Sequence, residues 1–270
     1  MPVTSSVKPT IAGQARRGLA LLVSLLFLAS PAPRAFGGAY SVDPVRVSLS
    51  ARAPLASMTV RNTGSETSVL QVETLSWSQG SGRMTLEPTR DVLATPPLFT
   101  IPPGATQLIR LGLRRPADGQ RELTYRVILH EVLAPAPDTK GMRVALDVSI
   151  PIFVQPLAPC APSLQWHLSR GANQELRLDV ANSGTAHVRL ETLEIAAAGA
   201  ARPLARKDLS AYLLANDTRS WTMEWGMPTP PDPVIIRAKT DAGDIESRVQ
   251  LENDSAPRDA TALTPVPEAP

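Results

Sequence analysis

Four side chains could carry nucleophilic or metal chemistry: Cys160, the only cysteine, and His130, His167 and His187, the three histidines. A single thiol cannot close a disulfide within its own chain. Cys160 reads either as an inter-chain partner or as a buried, inert thiol near a domain boundary. The histidines lie far apart with no ligand spacing, and there is no cysteine cluster, so no metal site is expected. No G-x-S-x-G motif occurs, no histidine motif occurs, and spacing singles out no carboxylate pair. The chain is therefore expected not to be an enzyme and to need no cofactor. What the residues do offer is recognition chemistry: patterned apolar surface and a few arginines placed among it.

The clearest pattern is Gly141–Pro156, GMRVALDVSIPIFVQP. Met142, Val144, Leu146, Val148, Ile150 and Ile152 fall on one face of an extended strand; Arg143, Ala145, Asp147, Ser149 and Pro151 fall on the other. Strict period 2 over this length is a strand signal, and the strand is long. Its aliphatic face must be buried. Pro151 lacks an N–H and is tolerated mainly at edges or bulges, so the stretch reads as an edge strand with exposed backbone groups. Pattern alone leaves two readings open. The face packs in its own sandwich, or it is offered to a partner.

The N-terminus bears on the compartment. Lys8, Arg16 and Arg17 precede the apolar run Gly18–Ala29, and small residues follow at Gly37, Gly38 and Ala39. This is the layout of a secretory signal peptide, with cleavage expected after Ala39. The run is too short to span a bilayer, so no membrane anchor is expected. Residues 1–39 hold four basic residues and no acid, so removing them turns the formal charge of +2 mildly negative. No nucleic-acid partner is expected.

Elsewhere strand patterns dominate. Val45–Ser50, Ala56–Asn62, Val69–Trp77, Leu93–Thr100, Thr106–Leu113, Glu122–Val132 and Arg143–Val154 alternate or are rich in β-branched residues, with Gly, Pro and Asn turns between them. That count suits an immunoglobulin-like sandwich. The proline-rich connector Gln155–Ser163 follows. A second set comes after it: Leu164–Leu168, Glu175–Asn182, Val188–Ile195, Trp221–Trp225, Val234–Thr240 and Ile245–Glu252, with Ala196–Ala201 as a loop. The expected layout is a signal peptide over 1–39, a sandwich over 40–155, a second over 156–252 and a disordered tail over 253–270.

An ordered set of segments resembles the periplasmic pilus chaperones, the PapD-like family of the chaperone–usher pathway. It runs Val42-Asp43-Pro44-Val45-Arg46, Thr59-Val60-Arg61-Asn62, Ala94-Thr95-Pro96-Pro97, Ile101-Pro102-Pro103-Gly104, Ile109-Arg110-Leu111, Tyr125-Arg126 and His130-Glu131-Val132. The opening stretch is similar to the family's seventh strand. The resemblance implies an all-β fold, with two immunoglobulin-like sandwiches in an L-shaped arrangement. It implies a periplasmic protein whose partners are pilin subunits and an outer-membrane usher. It also implies donor-strand complementation, in which the seventh strand fills the groove of a pilin lacking its last strand. The donated set on this chain is then Met142, Val144, Leu146, Val148 and Ile150.

The family anchors the pilin's C-terminal carboxylate with an arginine and a lysine. Arg46 matches the arginine, but Pro151 stands at the lysine position, and Arg126 on the neighbouring strand is a candidate replacement. The stretch Ser149–Val154 resembles the archaic or alternative branch, in which the lysine is not required. Arg110, Glu122 and Asp241 match an ion network near the domain junction, and Thr95-Pro96 matches a cis bond. The competing function is a structural, pilin-like or cell-surface sandwich subunit. Such a donor pilin should carry an N-terminal extension, which the short spacing between Ala39 and the first strand does not supply.

Overall fold

The computed structural model describes residues 39–80, 83–133, 144–170, 175–200, 202–224 and 233–252. The expected signal peptide up to residue 38, Met142 of the expected donated set and the tail from 253 lie outside them. Both sandwiches below belong to one compact unit; Val144 does not.

The first sandwich contains β1 (Tyr40–Asp43), β2 (Val47–Ser50), β3 (Leu55–Asn62), β4 (Ser68–Gly80), β5 (Arg83–Pro88), β6 (Val92–Thr95), β7 (Leu98–Ile101), β8 (Thr106–Leu113), β9 (Leu123–Val132) and β10 (Asp147–Gln155). One sheet runs β1-β3-β8-β6. The other runs β2-β10-β9-β4-β5, with β7 also on β4. Inward residues of both sheets, among them Met58, Val60, Leu70, Ile109, Leu111, Val127, Leu129, Ile150 and Ile152, close a single core, as alternation along paired strands requires. The chain changes sheets between β1 and β2. The Asp43-Pro44 and Thr95-Pro96 bonds are both cis, of which only the second was expected.

The second sandwich contains β11 (Leu164–Arg170), β12 (Glu175–Asn182), β13 (Val188–Ala197), β14 (Ala205–Leu213), β15 (Thr218–Glu224), β16 (Val234–Thr240), β17 (Gly243–Val249) and β18 (Leu251–Glu252). Its sheets run β15-β12-β11-β18 and β14-β13-β16-β17 around a second core. Ala196 and Ala197, expected in a loop, belong to β13, where Ala196 is fully buried. Small residues can line a tightly packed sheet face as well as a turn.

Each sandwich uses one buried asparagine in the same way. Asn62 donates to the carbonyls of Glu66 and Ile101 and accepts from the Gly64 N–H; Asn182 donates to the Ala186 carbonyl and accepts from the Gly184 N–H. These bonds stand in for water at the turn between two strands. Gly184 has a further constraint. A Cβ there would lie 2.3 Å from the Ala161 carbonyl. The connector is thus pressed against this turn, and the Thr185 and Ser183 N–H groups donate to Ala161 and Ser163. On its other side, the N–H groups of Leu157 and Ala158 donate to Asp118 and Gly119. The proline-rich segment is hydrogen-bonded to both sandwiches.

Candidate functional site

The expected donated strand divides into two halves. Over Ile152–Val154, β10 lies between β9 and β2; over Asp147–Pro151 it pairs with β9 alone among the described strands. Its burial changes along the same line. Ile150, Ile152 and Val154 are in the core, Val148 is partly buried against it, Leu146 is partly buried, and Val144 is 50 % exposed. Ile150, expected in the donated set, therefore fills the chain's own core at 3 % exposure. The aliphatic row is one pattern in sequence but serves two surroundings, because the partner sheet ends before the strand does.

A polar cluster holds the entry to β10. Leu146 exchanges bonds with Glu131: its carbonyl accepts from the Glu131 N–H at 3.0 Å, and its N–H donates to Glu131 Oε2 at 3.1 Å. The other carboxylate oxygen accepts from Tyr40 Oη at 2.7 Å. Burial, and then the hydrogen bond to Glu131 and its charge, push the Tyr40 phenol up to about 12 against a lowering hydrogen bond with Ser68. Next to them His130 bridges Asp147 Oδ1 at 2.9 Å and Glu73 Oε2 at 3.3 Å. His130 thus bonds the strand that carries the aliphatic row.

Pro151 is opposite Arg126 on β9, and the β2 ladder begins one residue further on, with Val47 opposite Ile152 and Arg46 just before Val47 in the chain. Arg126 lies over the Trp77 ring, 4.0 Å from its centroid, and donates to Ser149 Oγ at 3.1 Å, while its buried Nε has no hydrogen-bond partner among the described residues. Burial lowers its pKa, an effect that leaves it charged at any physiological pH. Arg46 is paired: its Nη1 is 2.6 Å from Asp241 Oδ2. Of the two expected anchors, one is thus stacked and the other is engaged by a carboxylate of the second sandwich.

The face of β10 opposite the core carries the contact between sandwiches. Phe153 packs with Trp77, Leu214 and Tyr212, which explains why β10 is buried on both faces from Ile150 to Val154. His187 is stacked on Phe153, and the Gln79 side chain bonds the Tyr212 carbonyl and the Leu214 N–H. The expected ion network takes a different form. Glu122 Oε2 accepts from His187 Nδ1 at 2.6 Å and from its N–H at 3.0 Å; Asp241 accepts from the Arg189 N–H at 2.8 Å and from Arg46, with His187 Nε2 3.9 Å away. Arg110 is not in it. It is exposed on β8, in the other sheet, opposite Ser57 and Thr95, and no ion pair joins it to Glu122 or Asp241 among the described residues. His187 and Arg46 are the groups that meet the two carboxylates instead. The sequence signal for His187 was weak, since a lone histidine at a strand start is ordinary. Phe153 was detectable, as an aromatic out of phase with the aliphatic row.

Residues 39–159 match the family described as the pili and flagellar-assembly chaperone, PapD N-terminal domain. The N-terminal sandwich is a PapD-type chaperone domain. The family is one of assembly chaperones, not enzymes. No curated protein matches the chain. Among solved structures, the chain is similar to the one described as the CsuC–CsuE chaperone–tip adhesion subunit pre-assembly complex from archaic chaperone–usher Csu pili of Acinetobacter baumannii. The identity is 17 %, over 80 % of this chain and 100 % of that one, with a TM-score of 0.58. It is also similar to the E. coli chaperone DraB (19 %, 81 % and 99 %, 0.54) and to the Salmonella enterica SafA pilin–SafB chaperone complex (17 %, 80 % and 98 %, 0.53). At these identities the likeness is one of fold, and it extends the PapD-type architecture across both sandwiches. Among the described residues of this PapD-like chain no group of three His, Cys, Asp or Glu could hold a metal, and no helix is long and apolar enough to cross a membrane. Cys160 is a free, partly buried thiol whose pKa burial raises.

Proposed function

We propose that the chain is a periplasmic chaperone of the chaperone–usher pathway that holds pilin subunits by lending them the entry half of its seventh long strand, and hands them to an outer-membrane usher. In this reading residues 1–39 are removed on export, and the division into sandwiches over 40–155 and 156–252 with a tail over 253–270 is the working layout. The observation that carries it is the fall in burial along one aliphatic row, from Ile150 in the core to the partly buried Val148 and Leu146, where Asp147–Pro151 pairs with β9 alone among the described strands. Such an edge offers ladder bonds to any strand, whatever its sequence. Each aliphatic side chain fully buried in a client groove contributes about 1.5–3 kcal/mol. Arg46 and Arg126 are the proposed receivers of the client's C-terminal carboxylate. The test is co-purification from periplasmic extract. The bound species should be a small secreted sandwich subunit whose own last strand is missing. Isolation of the chain as a covalent or strand-exchanged component of a fibre would overturn the reading in favour of a structural subunit.

A further inference from the structure

The proposed anchor is already occupied by a carboxylate. Arg46 Nη1 lies 2.6 Å from Asp241 Oδ2, and the two residues come from different sandwiches. Asp241 is the better fixed of the two: its side chain is 18 % exposed against 45 % for Arg46, and its other oxygen accepts the Arg189 N–H at 2.8 Å. It sits in the turn between β16 and β17, and its own N–H donates to the Arg189 carbonyl at 3.1 Å. A carboxylate held this way presents Oδ2 to Arg46 as a peptide C-terminus would. A second carboxylate brought to the same guanidinium would lie close to Asp241, and like charges placed together repel.

We infer that Asp241 is a resident competitor for the anchor, so that a client's C-terminal carboxylate binds Arg46 by displacing it. This rests on the reading of Arg46 as a client anchor. The device acts as a discriminator. A terminal carboxylate brought in by a strand paired along β10 replaces one charge-assisted bond with another. A neutral or internal segment cannot displace Asp241 without leaving Arg46 with no carboxylate partner. Because the displaced bond joins the two sandwiches, client binding and that contact oppose each other, and the coupling is reciprocal.

The experiment uses the full mature chain and synthetic peptides copying a pilin C-terminal strand, as free acid and as C-terminal amide. Asp241→Asn keeps an oxygen for the Arg189 N–H and removes the charge. It should bind the free-acid peptide about fivefold more tightly than wild type, the size of a partly exposed ion pair, and the amide no better. In an Arg46→Ala background the same substitution should give no gain. Asp241→Ser, which also keeps an oxygen near the Arg189 N–H, repeats the measurement should the asparagine variant misfold, with circular dichroism as the check. Unchanged or weaker binding of the free acid by the Asp241 variants overturns the inference, and weaker binding would mean that Asp241 orients Arg46. That result leaves the anchor reading intact if wild type still prefers acid to amide and Arg46→Ala abolishes the preference. No acid preference in wild type overturns both.

Discussion

The imidazole of His187 lies flat on the Phe153 ring, with centroids 3.4 Å apart and planes 4° from parallel. Phe153 belongs to the strand proposed to bind clients, and His187 immediately precedes β13 of the second sandwich. The same histidine bonds Glu122, whose side chain is only 6 % exposed. His187→Ala should therefore remove a stacked ring and leave a nearly buried carboxylate without its ring partner. The expected loss is roughly 2–4 kcal/mol, from the unmet carboxylate together with the cavity. Urea denaturation checks it. Glu122→Gln combined with His187→Ala should cost less than the two changes summed. Full additivity would show that the pair is not coupled.

Two aliphatics of one row should behave oppositely. Ile150→Asp places a carboxylate in the first core at a site 3 % exposed and should prevent stable folding, a loss of several kcal/mol. Leu146→Asp, four residues earlier on the same face, should leave the fold intact and abolish client recovery. Circular dichroism and pilin recovered with the purified variant separate the outcomes. Normal client recovery by Leu146→Asp would remove the entry of β10 from the binding surface. Unfolding of Leu146→Asp would place that side chain in the chain's own core.

Alkaline pH should report on the buried tyrosines. Burial, and then the hydrogen bond to Asp91, push the Tyr125 phenol from an ordinary 10 up to about 12; its Oη is 2.9 Å from Asp91 Oδ2. A folded-state pKa raised in this way favours the protonated form. Its contribution is complete below about pH 10 and is lost as pH climbs from 10 toward 12. Stability measured in urea across that window should fall with a slope that Tyr125→Phe reduces. At neutral pH the same substitution should cost about 0.5–1.5 kcal/mol for the lost bond. An unchanged alkaline slope in Tyr125→Phe would assign the loss to other groups, Tyr40 first among them.

Much of the fold was legible because alternation is a local signal. Thr106–Leu113, Glu175–Asn182 and Val234–Thr240 have the same limits in the sequence pattern and in the structure. The strands missed, Tyr40–Asp43, Arg83–Pro88 and Ala205–Leu213, are outer strands of their sheets, and Arg83–Pro88 buries no residue fully. An edge strand buries little, so it needs little apolar pattern. At the candidate site the limit was different. Arg46, Glu122 and Asp241 could be singled out, but which charges meet depends on long-range register. Arg110 matches its motif neighbours in order and yet points away from the junction, on the wrong sheet. His187 meets Glu122 from 65 residues along the chain, a pairing that no local spacing encodes.

The role of Arg126 separates two ways of holding a client terminus. Its guanidinium lies on Trp77, with Nε unbonded among the described residues, and Arg126 is opposite Pro151. Used as a second anchor, it would turn its free donors to the client carboxylate while keeping the aromatic platform. Arg126→Ala should then weaken a free-acid client peptide by roughly 2–5 kcal/mol, at least thirtyfold, as expected when one partner of a desolvated pair is lost. Arg46→Ala should cost a similar amount, and the double variant less than the sum, since both act on one carboxylate. Amidating the peptide should make both changes nearly silent. Arg126→Lys tests the platform: it keeps the charge but loses the planar stack, so it should recover only part of the binding. A competition titration of acid and amide peptides against each variant decides the matter. If Arg126→Ala binds the free acid as tightly as wild type, Arg126 serves only to pack Trp77 at the junction. The client is then held by the strand and by Arg46 alone.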